Sequence, residues 1–207
     1  MEYDPRSEPH QLAHDPVTSL VVPRPIGWLS TIGPNGLVNL APYSFFNLIA
    51  GKPPFVMFAS NPRKHSQHNA ETGGEFVVNI ATYDLRNEMN QSGANYGDEV
   101  SEPALIGLEM VPCRFVKPPR VARSPIALEC QYRQTIALVR ANGQATTSSV
   151  VIGEVVNIYI DDEVIRDGLI DLGRVRPIAR LGYMDYTAVD NIFTMLRVET
   201  ADRPGPY

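Results

Sequence analysis

The sequence predicts a mainly β domain, and three observations lead to this prediction. Apolar segments rich in Val, Ile, Phe and Tyr recur along the chain, and several are bounded by Gly or Pro. A chain of 207 residues with 43% hydrophobic residues is long enough to bury one sizeable core. At least six strand-like segments in a chain of this length favour a barrel or a sandwich, which we expect to form one domain over residues 1–207.

Six segments have the composition of strands: residues 25–32, 37–43, 54–60, 75–81, 126–138 and 149–160. The Asn35-Gly36 pair between the first two suits a tight type I′ hairpin, because both central positions of that turn need positive φ. Pro42 interrupts the second strand of this hairpin, which ordinary strand pairing does not require. This backbone is therefore expected to serve something besides strand pairing.

Two segments interrupt the β pattern and are predicted to form short helices at the periphery. Residues 63–74 end at a Gly pair, which suits a helix C-terminus. Residues 82–93 begin at Thr82, a candidate N-cap, and also end at glycine. The barrel is therefore expected to carry helices on its outside.

Two further regions lie outside this pattern of strands and helices. Residues 92–124 have a polar opening, several prolines and no sustained period, so we interpret them as an excursion from the barrel. Residues 1–14 are interpreted as an N-terminal arm. Neither region is predicted to be a separate domain.

The composition limits the classes of partner. The formal charge of −5 and the pI near 5.4 provide no global basic field to attract nucleic acid or an anionic membrane. No run approaches the roughly 18 apolar residues of a membrane span, and the polar N-terminus lacks the apolar region of a signal peptide. Cys113 and Cys130 are too few for a disulfide framework, so we expect both to be reduced. These features predict a cytoplasmic protein with a small-molecule ligand.

The segment FASNPRKHSQHN, residues 58–69, places a predicted strand end directly before a predicted helix start. Unpaired N–H groups at the helix start, together with Arg63, Lys64 and the hydroxyls of Ser60 and Ser66, would form a phosphate site. The same residues are also compatible with a solvated basic loop in which Ser60 only caps the turn. The residues alone leave both interpretations open.

Metal and nucleophilic sites are not predicted. His65 and His68 lie three residues apart and His10 and His14 four apart, but no cysteine lies near either pair in the sequence. The chain contains no Gly-x-Ser-x-Gly elbow, no Walker loop and no Gly-x-Gly-x-x-Gly fingerprint. His65 is instead a candidate for a position beside the phosphate.

Five short motifs, taken in their order and spacing, resemble those of the flavin reductase-like proteins with an FMN-binding split barrel. They are PRPIGWLST, NLAPYSFFN, PPFVMFASNPRKHS, TGGEFVVNI and IARLGYMDY. The resemblance covers about residues 15–190. It implies a six-stranded Greek-key split β-barrel with peripheral short helices, assembled as a homodimer with the flavin near the subunit interface.

The resemblance also implies which residues contact the cofactor. Contacts to the isoalloxazine are implied for the strand residues Ala41, Pro42, Tyr43 and Ser44, and for Arg24, Ser30 and Thr31 on the neighbouring strand. Contacts to the ribityl phosphate are implied for Ser60, Lys64, His65 and Ser66. Arg180 and Tyr186, from the last motif, are implied as cofactor-side or dimer-side contacts.

The activity that the resemblance implies is that of an oxidoreductase, in which NADH or NADPH gives a hydride to FMN and electrons pass onward. The flavin supplies this chemistry, so no protein acid, base or nucleophile is required and no catalytic residue is assigned. Two alternatives remain open. One is an FMN-bound carrier that serves an electron-acceptor protein without efficient NAD(P)H oxidation, and the other is a non-redox β-barrel module for another phosphorylated ligand.

Overall fold

The computed structural model describes residues 1–195, which form a mainly β structure with short helices. The strands are β1 (Arg24–Pro25), β2 (Gly27–Ile32), β3 (Val38–Tyr43), β4 (Phe46–Gly51), β5 (Pro54–Ser60), β6 (Glu75–Ile80), β7 (Met110–Val111), β8 (Arg120–Val121), β9 (Ile126–Val139), β10 (Ala145–Ile160), β11 (Ile165–Arg166), β12 (Leu169–Ile170), β13 (Ile178–Arg180) and β14 (Tyr186–Ala188). The helices are α1 (Val17–Leu20), α2 (His65–Gly73), α3 (Arg86–Gln91), α4 (Glu102–Leu105) and α5 (Leu172–Val175), with 3₁₀ turns at Tyr83–Leu85 and Asp162–Val164.

The main sheet is antiparallel and has the strand order β3-β2-β6-β9-β10-β5-β4. Each of the six predicted strands is present, and the predicted mainly β class is confirmed. In the described part of the chain this sheet has seven strands where six were predicted, because the segment after β3 turns back and forms the edge strand β4 beside β5.

The sheet curls so that strands far apart in the strand order come into contact. Phe46 on β4 packs against Gly27 on β2, where an added Cβ would lie 2.5 Å from the Phe46 ring. Inside the curl, the ring of Phe58 lies 5.0 Å from that of Tyr43 and 5.6 Å from that of Phe76. These buried rings connect β3, β5 and β6 and form the centre of the core.

The turn between β2 and β3 differs from the predicted type I′ hairpin. Gly36 has a φ of +79°, whereas Asn35 does not have a positive φ. The Gly36 N–H donates to the carbonyl of Gly33, and the Gly33 N–H donates to the carbonyl of Leu37. Pro34 occupies the second position of this turn, and its ring holds φ negative, so the wider turn forms and only Gly36 adopts the left-handed conformation.

Both predicted helical segments contain helices. The first forms α2 and ends at Gly74, which has a φ of +75° and donates its N–H to the carbonyl of Ala70. The second forms a 3₁₀ turn followed by α3; Thr82 lies at the N-cap position, but its side chain makes no capping hydrogen bond. Within residues 1–195, no helix has the length and hydropathy needed to cross a membrane.

Residues 92–124 are tied to the sheet by two buried carboxylates. Glu129 on β9 accepts the backbone N–H groups of residues 114 and 115 at 3.0 and 2.7 Å. Glu102 on α4 accepts the N–H of Leu40 on β3 at 2.9 Å. Charged acceptors form stronger hydrogen bonds than neutral ones, so these contacts hold a segment with little secondary structure in a defined position.

Candidate functional site

A pocket of about 710 Å³ opens beside β3, between the start of α2 and residues 92–96. This volume is typical of small-molecule sites. Seven of the predicted cofactor-binding residues line it: Ala41, Pro42, Tyr43, Ser44, Lys64, His65 and Ser66. The fold therefore brings together the two motifs for which the sequence implied contacts to the isoalloxazine and to the phosphate.

The first wall of the pocket is the edge strand β3. Among the described residues, β3 pairs only with β2, in a register that places Pro42 opposite Trp28. Pro42 has no N–H, so it leaves this ladder intact only where its nitrogen points away from β2. Gly93 approaches it so closely that an added Cβ would lie 3.1 Å from Pro42 Cγ. The open edge of β3 thus presents backbone groups to a ligand.

Tyr43 places an unpaired donor in this wall. The residue is buried, and within residues 1–195 its hydroxyl has no hydrogen-bond partner. Burial raises the pKa of Tyr43, with a further contribution from the Glu102 charge, although the nearby hydroxyls of Ser66 and Ser60 act in the opposite direction. The phenol is therefore neutral at physiological pH, and a ligand acceptor in the pocket would satisfy it.

The second wall is the N-terminus of α2, which carries positive charge and no cap. The first helical hydrogen bond runs from His68 N to the carbonyl of Lys64, so the N–H groups of residues 65–67 have no partner within the helix. Lys64 occupies the N-cap position without a side-chain hydrogen bond, and the first turn contains no acidic residue. Such a helix start is suited to an anion.

The charged side chains around the α2 start differ in their partners. Arg63 donates from Nε to Glu71 at 2.9 Å, and His65 Nε2 lies 2.6 Å from Asp98. In the described part of the chain, Lys64 takes part in no ion pair. Lys64 is therefore the cation available to an anionic ligand.

A buried hydrogen-bond chain orients Ser66 at the base of the pocket. Ser66 Oγ donates to Asn39 Oδ1 at 2.9 Å, and Asn39 Nδ2 donates to Glu102 at 2.7 Å. An ionised carboxylate only accepts hydrogen bonds, so Glu102 fixes which end of the Asn39 amide faces Ser66. Because the hydroxyl hydrogen of Ser66 is donated to Asn39, Ser66 Oγ can only accept a hydrogen bond from a ligand in the pocket.

Arg24 lies outside the pocket and holds chain segments together. Its guanidinium donates to the carbonyls of Thr18, Val21 and Leu181, which ties the N-terminal segment to the last motif. It also lies 5.6 Å from the ring of Phe45, which lines the pocket. Arg24 thus contacts the pocket only indirectly, through Phe45.

The remaining predicted site residues also lie elsewhere. Ser30 donates to the carbonyl of Pro119 at 2.5 Å, Thr31 accepts from Asn69, and Ser60 donates to the carbonyl of Pro62 at 2.8 Å. These three hydroxyls are buried and paired behind the pocket. Arg180 and Tyr186 line a different pocket beside α3.

The wall contributed by residues 92–96 and Glu102 was missed by the sequence analysis. These residues belong to the segment interpreted as an excursion, and no periodic pattern assigns them to a site. Trp28 Nε1 donates to Ser92 Oγ at 2.8 Å, which fixes the start of this segment against β2. The hydrogen bond joins residues far apart in the sequence, so no local signal could have indicated it.

The two cysteines lie away from the pocket and have no thiolate character. Burial raises the pKa of Cys113 to about 11 and that of Cys130 still further. Cys113 and Cys130 are not joined in a disulfide. Neither lines the pocket.

Both the sequence and the structure of this chain are similar to those of known proteins. Residues 19–179 match the family described as "Flavin reductase like domain". The solved structure of nitrilotriacetate monooxygenase component B from Bacillus cereus has a TM-score of 0.86 and 26% identity, covering 94% of this chain and 98% of that chain.

Two more distant structures share the fold. A protein from Shewanella frigidimarina NCIMB 400, assigned as a flavin reductase with a split barrel domain, has a TM-score of 0.81 and 21% identity, covering 96% of this chain and all of that chain. An FMN-binding protein from Thermus thermophilus has a TM-score of 0.73 and 12% identity, covering 94% and 100% of the two chains. These likenesses confirm the predicted split-barrel fold. Because the family match spans most of the sequence, the chain belongs to the flavin reductase-like family.

Proposed function

We propose that this protein binds FMN in the pocket beside β3 and acts as an oxidoreductase through it. The observation that carries the proposal is that, among residues 1–195, one pocket combines an uncapped, basic helix N-terminus with an open strand edge and an unpaired tyrosine hydroxyl. The first feature suits a phosphate, and the others suit the polar rim of a flat ring system. FMN carries both groups in one molecule.

The residues of the chain would bind and orient the cofactor. Lys64 and the N–H groups at the start of α2 would hold the phosphate, and the edge backbone of Ala41 to Ser44 would lie along the ring. Tyr43 would donate its hydroxyl hydrogen to the ligand, while Phe45 and Tyr96 would limit the access of water. Bound FMN supplies the hydride- and electron-accepting chemistry, so no nucleophile is needed from the protein.

NADH or NADPH is the proposed hydride donor, and an electron-acceptor protein is the proposed recipient. Membership of the flavin reductase-like family supports the first part. The Bacillus cereus neighbour is named as a component of a monooxygenase, which supports delivery of electrons to a second protein. Steady-state oxidation of NADH and NADPH with added FMN separates this function from that of a carrier without efficient NAD(P)H oxidation.

Titration of the flavin-free protein with FMN is expected to show saturable binding of about one flavin per subunit. The physical reason is that the pocket presents a cationic helix start and unpaired polar groups, both of which cost free energy without a partner. Flavin fluorescence measures the binding. If micromolar FMN gave no saturation, the non-redox alternative with another phosphorylated ligand would replace the proposal.

A homodimer is proposed because β4 exposes apolar side chains at the edge of the main sheet. Leu48 and Ile49 are each about half exposed, and they lie at a β-bulge where the register between β4 and β5 shifts. An exposed apolar edge strand favours pairing with another chain. A second copy of this chain offers the same strand, and a closed pair would cover both edges.

Light scattering is expected to give the mass of a dimer for the full-length protein at micromolar concentration. Replacing Leu48 by glutamate should shift the equilibrium toward the monomer, because it places a charge on the covered edge. Glutamate at Leu12, which is exposed in the N-terminal arm, is the matched control and should leave the mass unchanged. A wild-type protein that is strictly monomeric and still binds FMN would contradict this assembly.

A further inference from the structure

A second pocket, of about 430 Å³, lies beside α3 and shares no lining residue with the pocket described above. Its wall carries the guanidinium groups of Arg86 and Arg180 and the rings of Tyr83 and Tyr186. Met89 and Ile178 form an apolar floor, since both are buried in the core beneath it. The pocket thus combines a cationic rim with an apolar base.

Aromatic rings hold the arginine side chains of this rim. The guanidinium of Arg86 lies 4.0 Å from the ring centre of Tyr83, and that of Arg176, which does not line the pocket, lies 4.4 Å from the same ring centre. The guanidinium of Arg180 lies 4.5 Å from the ring centre of Tyr186. Stacking holds the planar group by its face, so its N–H groups point outward along the edge, where acceptors bind.

The N–H groups of these arginines are only partly engaged. Arg86 donates from Nη1 to the carbonyl of Tyr83 at 2.7 Å, and Arg180 donates to the Tyr186 hydroxyl and the Tyr183 carbonyl. A guanidinium has five N–H donors, so each side chain keeps donors for a further partner.

No carboxylate neutralises this rim within residues 1–195. Arginines elsewhere form ion pairs, as Arg63 does with Glu71 and Arg123 does with Glu88, but within the described residues Arg86 and Arg180 take part in none. The positive charges of these arginines repel one another. They form a local cationic site on a protein whose formal charge is −5 overall. A bound anion would relieve this repulsion.

We infer that this second pocket binds a small aromatic acid, with its carboxylate or phosphate on the guanidinium edges of Arg86 and Arg180 and its ring on Met89 and Ile178. The planar guanidinium fork matches both kinds of anion in a bidentate geometry. The apolar floor makes an inorganic anion a poorer ligand than one that carries a ring. This site is independent of the proposed flavin function, because none of its residues lines the first pocket.

Calorimetric titration of the full-length protein tests the site, with benzoate and phenyl phosphate as probes and benzyl alcohol as the neutral analogue. At least one anion is expected to bind about tenfold or more tightly than benzyl alcohol, since the alcohol leaves the guanidinium donors without a charged acceptor. The same affinity is expected with and without saturating FMN. Loss of anion binding on addition of FMN would place the probe in the first pocket and overturn the inference.

Two variants and one matched control locate the probe. Arg86→Gln and Arg180→Gln are each expected to weaken binding of the anion about tenfold, with benzyl alcohol unaffected. Arg123→Gln removes the same charge from a residue that contacts α3 through Glu88, outside the pocket, and should leave binding unchanged. Circular dichroism of the three variants checks that the substitutions leave the fold intact.

Two results would contradict the inference that this pocket binds an aromatic acid. One is the absence of saturable binding for both anions at millimolar concentration, which is too weak for a built recognition site. The other is anion binding that persists in both Arg86→Gln and Arg180→Gln. A failure of FMN to bind would reject the proposed flavin function and leave this second test unaffected.

Discussion

Replacement of Lys64 by alanine is expected to weaken FMN binding about 10- to 100-fold and to leave riboflavin binding almost unchanged. Lys64 lies at the N-cap of α2 and has no ion-pair partner in residues 1–195, so its ammonium group is available to a phosphate. A hydrogen bond to a charged group contributes about 1.5–3 kcal/mol, and about 1.4 kcal/mol corresponds to a tenfold change in affinity. Riboflavin lacks the phosphate and does not use this contact.

Arg63→Ala is the matched control for loss of positive charge. Its guanidinium is already engaged by Glu71, so its removal should cost less FMN affinity than removal of Lys64. Fluorescence titrations of both ligands are compared at one salt concentration, because salt screens exposed charges. If Lys64→Ala weakened both ligands equally, or neither, residues 60–66 would not be the phosphate site.

The Glu129→Gln substitution is expected to lower the free energy of unfolding by about 3 kcal/mol or more. The Glu129 carboxylate is buried and accepts hydrogen bonds from Arg114 N, Phe115 N and Asn157 Nδ2. Glutamine would turn an NH₂ group toward one of these donors and remove the charge from the rest, and each bond to a charged acceptor contributes about 1.5–3 kcal/mol. Urea unfolding measures the change.

Glu154→Gln on the neighbouring strand β10 is the matched control. Glu154 forms an exposed ion pair with Arg133, with Nε to Oε2 at 2.8 Å, and such pairs contribute about 1 kcal/mol or less. If both substitutions destabilised the protein equally, Glu129 would not anchor residues 92–124.

The effect of Glu129→Gln should also depend on pH. Burial raises the pKa of Glu129, but the hydrogen bonds from Arg114, Phe115 and Asn157 outweigh burial and hold it below its ordinary value. A lowered folded-state pKa means that the carboxylate stabilises the fold above its unfolded pKa, and that this stabilisation is lost as pH falls through the folded value. The difference in unfolding free energy between wild type and variant should therefore narrow in acid.

The sequence alone determined the β elements, because each strand carries its own local pattern. Alternation of apolar residues and bounding Gly or Pro located the six predicted strands to within a few residues. It did not indicate β4, since Leu48, Ile49 and Ala50 are consecutive apolar residues that resemble core as much as an exposed edge. It also gave the wrong turn at Asn35-Gly36, because Pro34 constrains the backbone more strongly than the dipeptide favours type I′.

The two halves of the proposed flavin pocket could each be predicted from the sequence, because the residues of each half are neighbours in the chain. Ala41 to Ser44 follow one another at the end of one strand, and Lys64 to Ser66 follow one another at one helix start. The tertiary structure decided that these halves face one pocket, that Glu102 and residues 92–96 complete it, and that Arg24, Arg180 and Tyr186 lie elsewhere. The physical reason is that hydrogen bonds such as Trp28 to Ser92 and Asn39 to Glu102 join residues more than 60 positions apart, and no local pattern records such partners.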